Sequence, residues 1–320
     1  MIASSIAENS CDRPIATACS DRCTKVLLPL LLCMLARLPT HAEQVILQPN
    51  ADTSIFEAFP TNNLGATDNL PAGANANLAR GRPLFRFALV PTIPSNAIIQ
   101  SVSLALTVLA VPPDGGHGST FDLHRLLVGW GEGAGTNNTG SPANPGEADW
   151  NARFYPSNLW GVPGGSISND FSEIVSASTF IGDVGTYTFP STSNLVSDVQ
   201  TWLRTPATNF GWILISESEN VAFSVRRVGT RESTDPPLLT VCFDLPRPPK
   251  LQIITSPAGQ IQLSFLASAG QSYSVQFRDS LNVGNWMTLT NLGLQSTTTN
   301  ITLSDPFPTN DYRFYRIASP

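Results

Sequence analysis

IIQSVSLALTVL, residues 98–109, sets Ile98, Val102, Leu104, Leu106 and Val108 on one parity and Ser101, Ser103, Ala105 and Thr107 on the other, with Gln100 the one intruder. Side chains of a strand alternate between its faces, so a period of two over this length predicts a strand with one face in a core. PLFRFAL (83–89) repeats the scheme, with Phe85, Phe87 and Leu89 against Leu84, Arg86 and Ala88. Val221–Arg226 does so again, with Val221, Phe223 and Val225 expected inward. FGWILIS (210–216) is apolar without alternation, which fits a strand covered on both faces.

One segment departs from this period. SNLVSDVQTWLR (193–204) spaces Leu195, Val196, Val199, Trp202 and Leu203 as a helical stripe, with Ser193 as the expected N-cap and Pro206 as the stop. The expectation is an all-β, jelly-roll-like antiparallel β-sandwich with one short helix over residues 43–245. Residues 246–249 hold three prolines in four positions, which cannot donate to a ladder and read as a linker. Beyond it, residues 250–320 alternate at Ile261, Leu263 and Phe265 and at Tyr273, Val275 and Phe277, with Trp286 and Tyr312–Ile317 adding bulk. Six or seven short strands in about 70 residues predict a second, smaller fibronectin- or immunoglobulin-like sandwich.

Residues 1–42 have the three parts of a secretory leader. Arg13, Arg22 and Lys25 precede the apolar run Val26–Ala36, and Thr40 and Ala42 supply small residues before a cleavage point. Eleven apolar residues fall short of the roughly 20 needed to cross a bilayer, so a signal peptide is expected and no membrane span after its removal. The predicted location is secreted or cell surface. Cleavage would leave Cys242 alone of five cysteines, a half-buried inert thiol in a domain held by its core. The mature chain then has 14 basic and 21 acidic residues, net −7, which argues against nucleic acid as a partner.

The insertion from Trp130 to Gly165 carries Trp130, Trp150, Phe154, Tyr155 and Trp160 among glycines and prolines, and is too long for a plain connection. Exposed rings would offer flat apolar faces to sugar C–H groups, and Arg153 could pair with a uronate carboxylate. The ligand-binding candidates are therefore Trp160, Tyr155, Arg153, Trp150 and Trp130. The competing expectation is that the rings pack onto the sandwich and order the loop. Glu132, Glu147 and Asp149 lie among these aromatics and could serve a glycosidase or lyase, although turn capping, pairing with Arg153 or holding a calcium ion accounts for them better. A structural calcium is a further possibility, because Asp52, Asp68 and Asn69 supply hard oxygen ligands. His117 and His124 have no metal-ligand spacing, and no G-x-S-x-G turn supports a nucleophile.

Four blocks in order carry a family likeness: NADTSIFEAFPTNNLGATDNL (50–70), GRPLFRFALVPTIPSNAIIQSVSLALTV (81–108), DVQTWLRTPATNFGWILISE (198–217) and FSVRRVGTRESTDPPLLTV (223–241). Together they resemble a DNRLRE domain, and GEADWNARFYPSNLWGVPGG (146–165) resembles an insertion of its exported bacterial members. The resemblance implies a secreted or surface-attached sandwich, with some relatives acting as carbohydrate-binding modules for acidic polysaccharides. No catalytic domain accompanies it here. Two expectations stand beside each other: a non-catalytic protein that binds an extracellular polysaccharide or cell-surface polymer, and a structural or adhesion component of the cell envelope. A polysaccharide hydrolase or lyase is the third.

Overall fold

The computed structural model describes residues 42–113, 116–245, 249–255, 261–306 and 312–318. The expected leader and most of the proline linker lie outside them. The chain divides into two compact units between Leu245 and Pro246. Both are built from antiparallel strands, with one α-helix among the described residues. No described helix is long and apolar enough to cross a membrane.

The first unit is built on a hydrogen-bonded sheet of eleven strands that curls onto itself, with two further two-stranded pairs, Asn62–Asn63 with Ser141–Pro142 and Ala152–Phe154 with Asn158–Leu159. One layer runs Glu43–Leu47, Leu238–Asp244, Ile98–Ala110, Arg226–Gly229 and Asn69–Ala74, with Gly185–Phe189 added beside Ile98–Ala110. The other runs Arg80–Phe87, Trp212–Ser216, Ser119–Leu126 and Phe171–Ile181, with Pro49–Phe56 added beside Arg80–Phe87. Asn69–Ala74 joins the layers through the Gly73/Gly81 and Ala74/Arg80 pairs. Leu104, Leu106, Val108, Leu239 and Val241 of one layer and Phe85, Phe87, Phe121, Trp212 and Leu214 of the other share the main core. The result is an all-β sandwich.

Gln100 breaks the alternation for a visible reason. Cys242 pairs with Ser101 and the next residue, Phe243, with Ile99, so Gln100 is the extra residue of a β-bulge and is exposed. Beyond the bulge the parity flips, and Ile99 rather than Ile98 is buried. Cys242 itself is buried, where the sequence reading expected a half-buried side chain, and its Sγ lies 3.6 Å from Gln44 Oε1. The other four cysteines lie outside the described residues.

The helix Ser193–Arg204 lies where the stripe predicts and buries Leu195, Val199, Trp202 and Leu203. Its N-cap is Thr192 and not Ser193, because Thr192 Oγ1 accepts from the Leu195 N–H at 3.0 Å. Asp198 also lies on the inward stripe. Its carboxylate accepts from Ser176 Oγ at 2.5 Å and Trp212 Nε1 at 3.0 Å and faces Arg125 at 3.4 Å, tying the helix to three strands.

The reading of Val221–Arg226 is corrected. Val221 and Phe223 are exposed, and the strand begins at Arg226. Phe223 has φ +62°, which turns the chain, and buried Ser224 and Arg226 take the inward places by bonding backbone groups of Ala74, Ser218, Gly182 and Val225. Polar burial is tolerated here because each group finds a partner.

The second unit has two three-stranded sheets among the described residues. Gln252–Thr255, Ile261–Ala267 and Thr299–Asp305 form one, and Met287–Leu292, Tyr273–Arg278 and Phe314–Ala318 the other. Leu263, Phe265, Ala267, Tyr273 and Val275 make its core.

Candidate functional site

The apolar run of Trp212–Ser216 has two faces to fill. Trp212 and Leu214 enter the main core, while Ile213 and Leu84 of the neighbouring strand face outward. The insertion covers that outer face. Trp130, Trp150 and Trp160 are buried there with Ala51, Ile55, Leu126, Ala148 and Phe171 in a second core. Trp130 Nε1 donates to the Phe210 carbonyl at 2.8 Å and Trp160 Nε1 to the Asp149 carbonyl at 2.9 Å. Arg80 and Arg82 lie 5.0 and 5.7 Å from the Trp150 ring and Arg86 5.6 Å from the Trp130 ring. Arg80 and Arg82 are forked onto Glu57 and Glu219. The expectation that Trp130, Trp150 and Trp160 offer open stacking faces is therefore corrected: the three rings are buried, with the N–H groups of Trp130 and Trp160 satisfied, and they order the insertion. Tyr155 is 36% exposed and Phe154 half-buried. Arg153 donates to the Gly129 carbonyl at 3.1 Å and lies 5.4 Å from the Phe154 ring.

One buried amide fixes the start of the insertion. Asn63 donates to the carbonyls of Glu132 at 2.6 Å and Ala148 at 2.9 Å, and its Oδ1 accepts from the Gly65 and Gly135 N–H groups at 2.9 Å. Gly133 and Gly135 let the loop come this close. A Cβ on Gly135 would lie 1.8 Å from the Asn63 carbonyl oxygen, and Gly133 has φ +83° with Asn63 side-chain atoms 2.3 Å from a Cβ.

The carboxylates of the insertion hold turns. Glu147 accepts from the Ala134 and Asn144 N–H groups, and Asp149 from those of Asn151 and Ala152. Glu132 accepts from the Asp52 N–H at 2.9 Å and from Arg231 Nε at 2.9 Å, and Arg231 Nε also faces Glu232 at 2.8 Å. Asp52 is buried behind them. Its Oδ2 accepts from the Arg231 N–H at 2.9 Å, and its Oδ1 has no partner among the described residues. Burial pushes the Asp52 carboxyl up to about 7; the Arg231 N–H opposes this, and the charges of Glu232 and Glu132 add to it. Burial also raises Glu132 and Asp149.

In front of this cluster lies an open polar cleft of about 650 Å³, lined by Ala66, Thr67, Asp68, Asn137, Asn138, Thr139 and Glu232. Asn69 Nδ2 bridges its floor, donating to Asp68 Oδ1 at 2.7 Å and Asn138 Oδ1 at 3.2 Å, and Arg227 donates to the Asn138 carbonyl at 3.1 Å. Asp68 and Asn69 thus come together, the Asn69 amide donating to Asp68 Oδ1. Asp52 is engaged separately with Arg231. Among the described residues no group of three or more His, Cys, Asp or Glu is placed to hold a metal ion. His117 is exposed, and His124 Nδ1 lies 2.9 Å from the Ser172 carbonyl.

Sequence reasoning missed the cleft. Its lining comes from two stretches far apart in the chain, with Glu232 from a third, and Asn137-Asn138-Thr139 has the composition of any turn. Protein-family models and curated proteins contain no match to this chain, so the DNRLRE resemblance stands on its four blocks of sequence alone.

Proposed function

We propose that the chain is an exported, non-catalytic protein that binds polysaccharide, and that the first unit does so in the polar cleft of Asp68, Asn138 and Glu232. The cleft carries the reading: carboxylate, amide and hydroxyl groups in an open groove of this size match the paired donors and acceptors of sugar hydroxyls. Its two carboxylates favour a neutral sugar over a uronate at this place, which moves the binding site away from Arg153. The engagement of Glu132, Glu147 and Asp149 with backbone N–H groups supports a non-catalytic role. The resemblance to DNRLRE domains and the leader-like residues 1–42 support export to the cell surface or beyond.

A glycan array probed with the full chain tests this. Binding to a neutral glycan should weaken about tenfold in Asp68→Ala and in Asn138→Ala, the scale of one hydrogen bond to a charged or polar group, with unchanged melting. Array binding that survives both substitutions would place the site elsewhere. New reducing or unsaturated sugar ends would overturn the non-catalytic reading. The burial of Trp130, Trp150 and Trp160 favours a second reading, a structural or adhesion component of the envelope, which no array binding at all would support.

A further inference from the structure

Charge is divided unevenly along the chain. Residues 43–245 contain nine basic and 18 acidic side chains, whereas residues 246–320 contain five basic and three acidic. Within the second unit Arg313 takes up both described carboxylates, Asp279 and Asp305, each at 2.8 Å. Arg278 and Arg316 form no ion pair among the described residues. They are diagonal neighbours on one sheet face: Arg278 pairs in register with Phe314, and Gln276 with Arg316. That face is the outer one, because Val275 between Ser274 and Gln276 is buried and Tyr315 and Ile317 pack on the core.

Trp286 holds both cations. The guanidinium carbons of Arg316 and Arg278 lie 4.4 and 5.2 Å from its ring centre. Each Nε is anchored, Arg316 to Gln276 Oε1 at 2.8 Å and Arg278 to the Ser280 carbonyl. The terminal N–H groups of both forks have no protein acceptor among the described residues. An indole that fixes two guanidinium planes, with their side arms tied, presents paired donors at little further cost in side-chain entropy.

We propose that this outer face of the second unit, through Arg278, Arg316 and Trp286, binds an anionic polysaccharide by forked hydrogen bonds to its carboxylate or sulfate groups. An outward sheet face suits an extended chain, and two adjacent guanidinium forks suit oxyanions along it. The mature chain is net acidic, so such binding has to come from a local site and not from overall attraction. The proposal rests on the reading of the chain as a polysaccharide binder but is independent of the cleft.

Affinity electrophoresis of the full chain through gels containing dextran, carboxymethyl dextran or dextran sulfate tests it, since the backbone is constant and the anion changes. The expected result is retardation by one or both charged polymers and not by plain dextran; which of them retards identifies the anion. The double variant Arg278→Gln/Arg316→Gln should lose at least about tenfold in affinity, and Arg316→Lys should lose part of it, because a lysine keeps the charge without the fork. Asp68→Ala should bind the charged polymers as the unaltered chain does. Equal retardation of the double variant, or equal retardation by plain dextran, would overturn the proposal. So would equal affinity for duplex DNA, which would reduce the face to general attraction of polyanions. Loss of charged-polymer binding in Asp68→Ala alone would assign it to the cleft.

Discussion

Replacing Asp52 by Asn removes a buried charge while keeping an oxygen to accept the Arg231 N–H. The unfolded chain gives up this proton near 3.8, whereas the folded chain holds it to about 7. Between those values the folded state binds more protons than the unfolded, so stability falls as pH rises through the interval and is level above it. A tenfold change in proton affinity is worth about 1.4 kcal/mol, and the roughly thousandfold difference between the two states gives roughly 4 kcal/mol lost between acid and mildly alkaline pH. Arg231, Glu132 and Glu232 face the same carboxylate, and burial raises Glu132 in the same direction, so the unaltered chain alone cannot isolate Asp52. The difference between it and Asp52→Asn can. Urea unfolding at pH ~4 and pH ~8 should give nearly equal stabilities at the lower pH and a more stable Asn variant, by roughly 4 kcal/mol, at the higher. A constant difference at both pH values would refute the reasoning, because it would mean that Asp52 titrates alike in folded and unfolded chains.

Trp160→Ala should lower stability by about 3–5 kcal/mol, since it empties part of the second core and strips the Asp149 carbonyl of its indole donor; an unchanged denaturation midpoint would show an open ring. Asn63→Asp should cost roughly 3–5 kcal/mol at neutral pH by setting a carboxylate against the Glu132 and Ala148 carbonyls. Burial without a counter-charge raises that new carboxyl, so the loss should shrink as pH falls, which urea unfolding across pH would register. Amino-terminal sequencing of exported protein should begin at Glu43; a terminus that retains Val26–Ala36 would mean a retained anchor.

Period-two alternation identified the strands of the main core because it depends on each residue and its near neighbours alone. It worked from Val102 to Val108 and in Phe85–Leu89, and it failed at Val221–Arg226, where the inward places are taken by Ser224 and Arg226. The apolar character of Phe223 pointed inward, but its positive φ reverses the direction of the chain, and no local pattern marks a non-glycine residue for that conformation. A hydrogen bond to the carbonyl of Gly182, 44 residues away, then makes arginine an inward residue. The Ser193/Thr192 disagreement is of the other kind: both residues are good caps, and the choice rests on which hydroxyl meets the Leu195 N–H.

The insertion shows why a binding face is harder to read than a core. FGWILIS announced a strand covered on both sides, and five aromatics lie close together between residues 130 and 160. Those two observations belong together: Ile213 and Leu84 need a cover, and Trp130, Trp150 and Trp160 are that cover. A ring used to close a sheet face cannot also stack on a sugar, so Trp130, Trp150 and Trp160 are not an aromatic platform, whereas Tyr155 stays exposed. Among what the insertion leaves at the surface is Asn137–Thr139, carried against Asp68 and Glu232 by the Asn63 amide and the glycines that let the loop approach it. On the proposed reading, recognition would sit on residues whose types are ordinary, and their meaning would come from a long-range anchor, not from their own spacing.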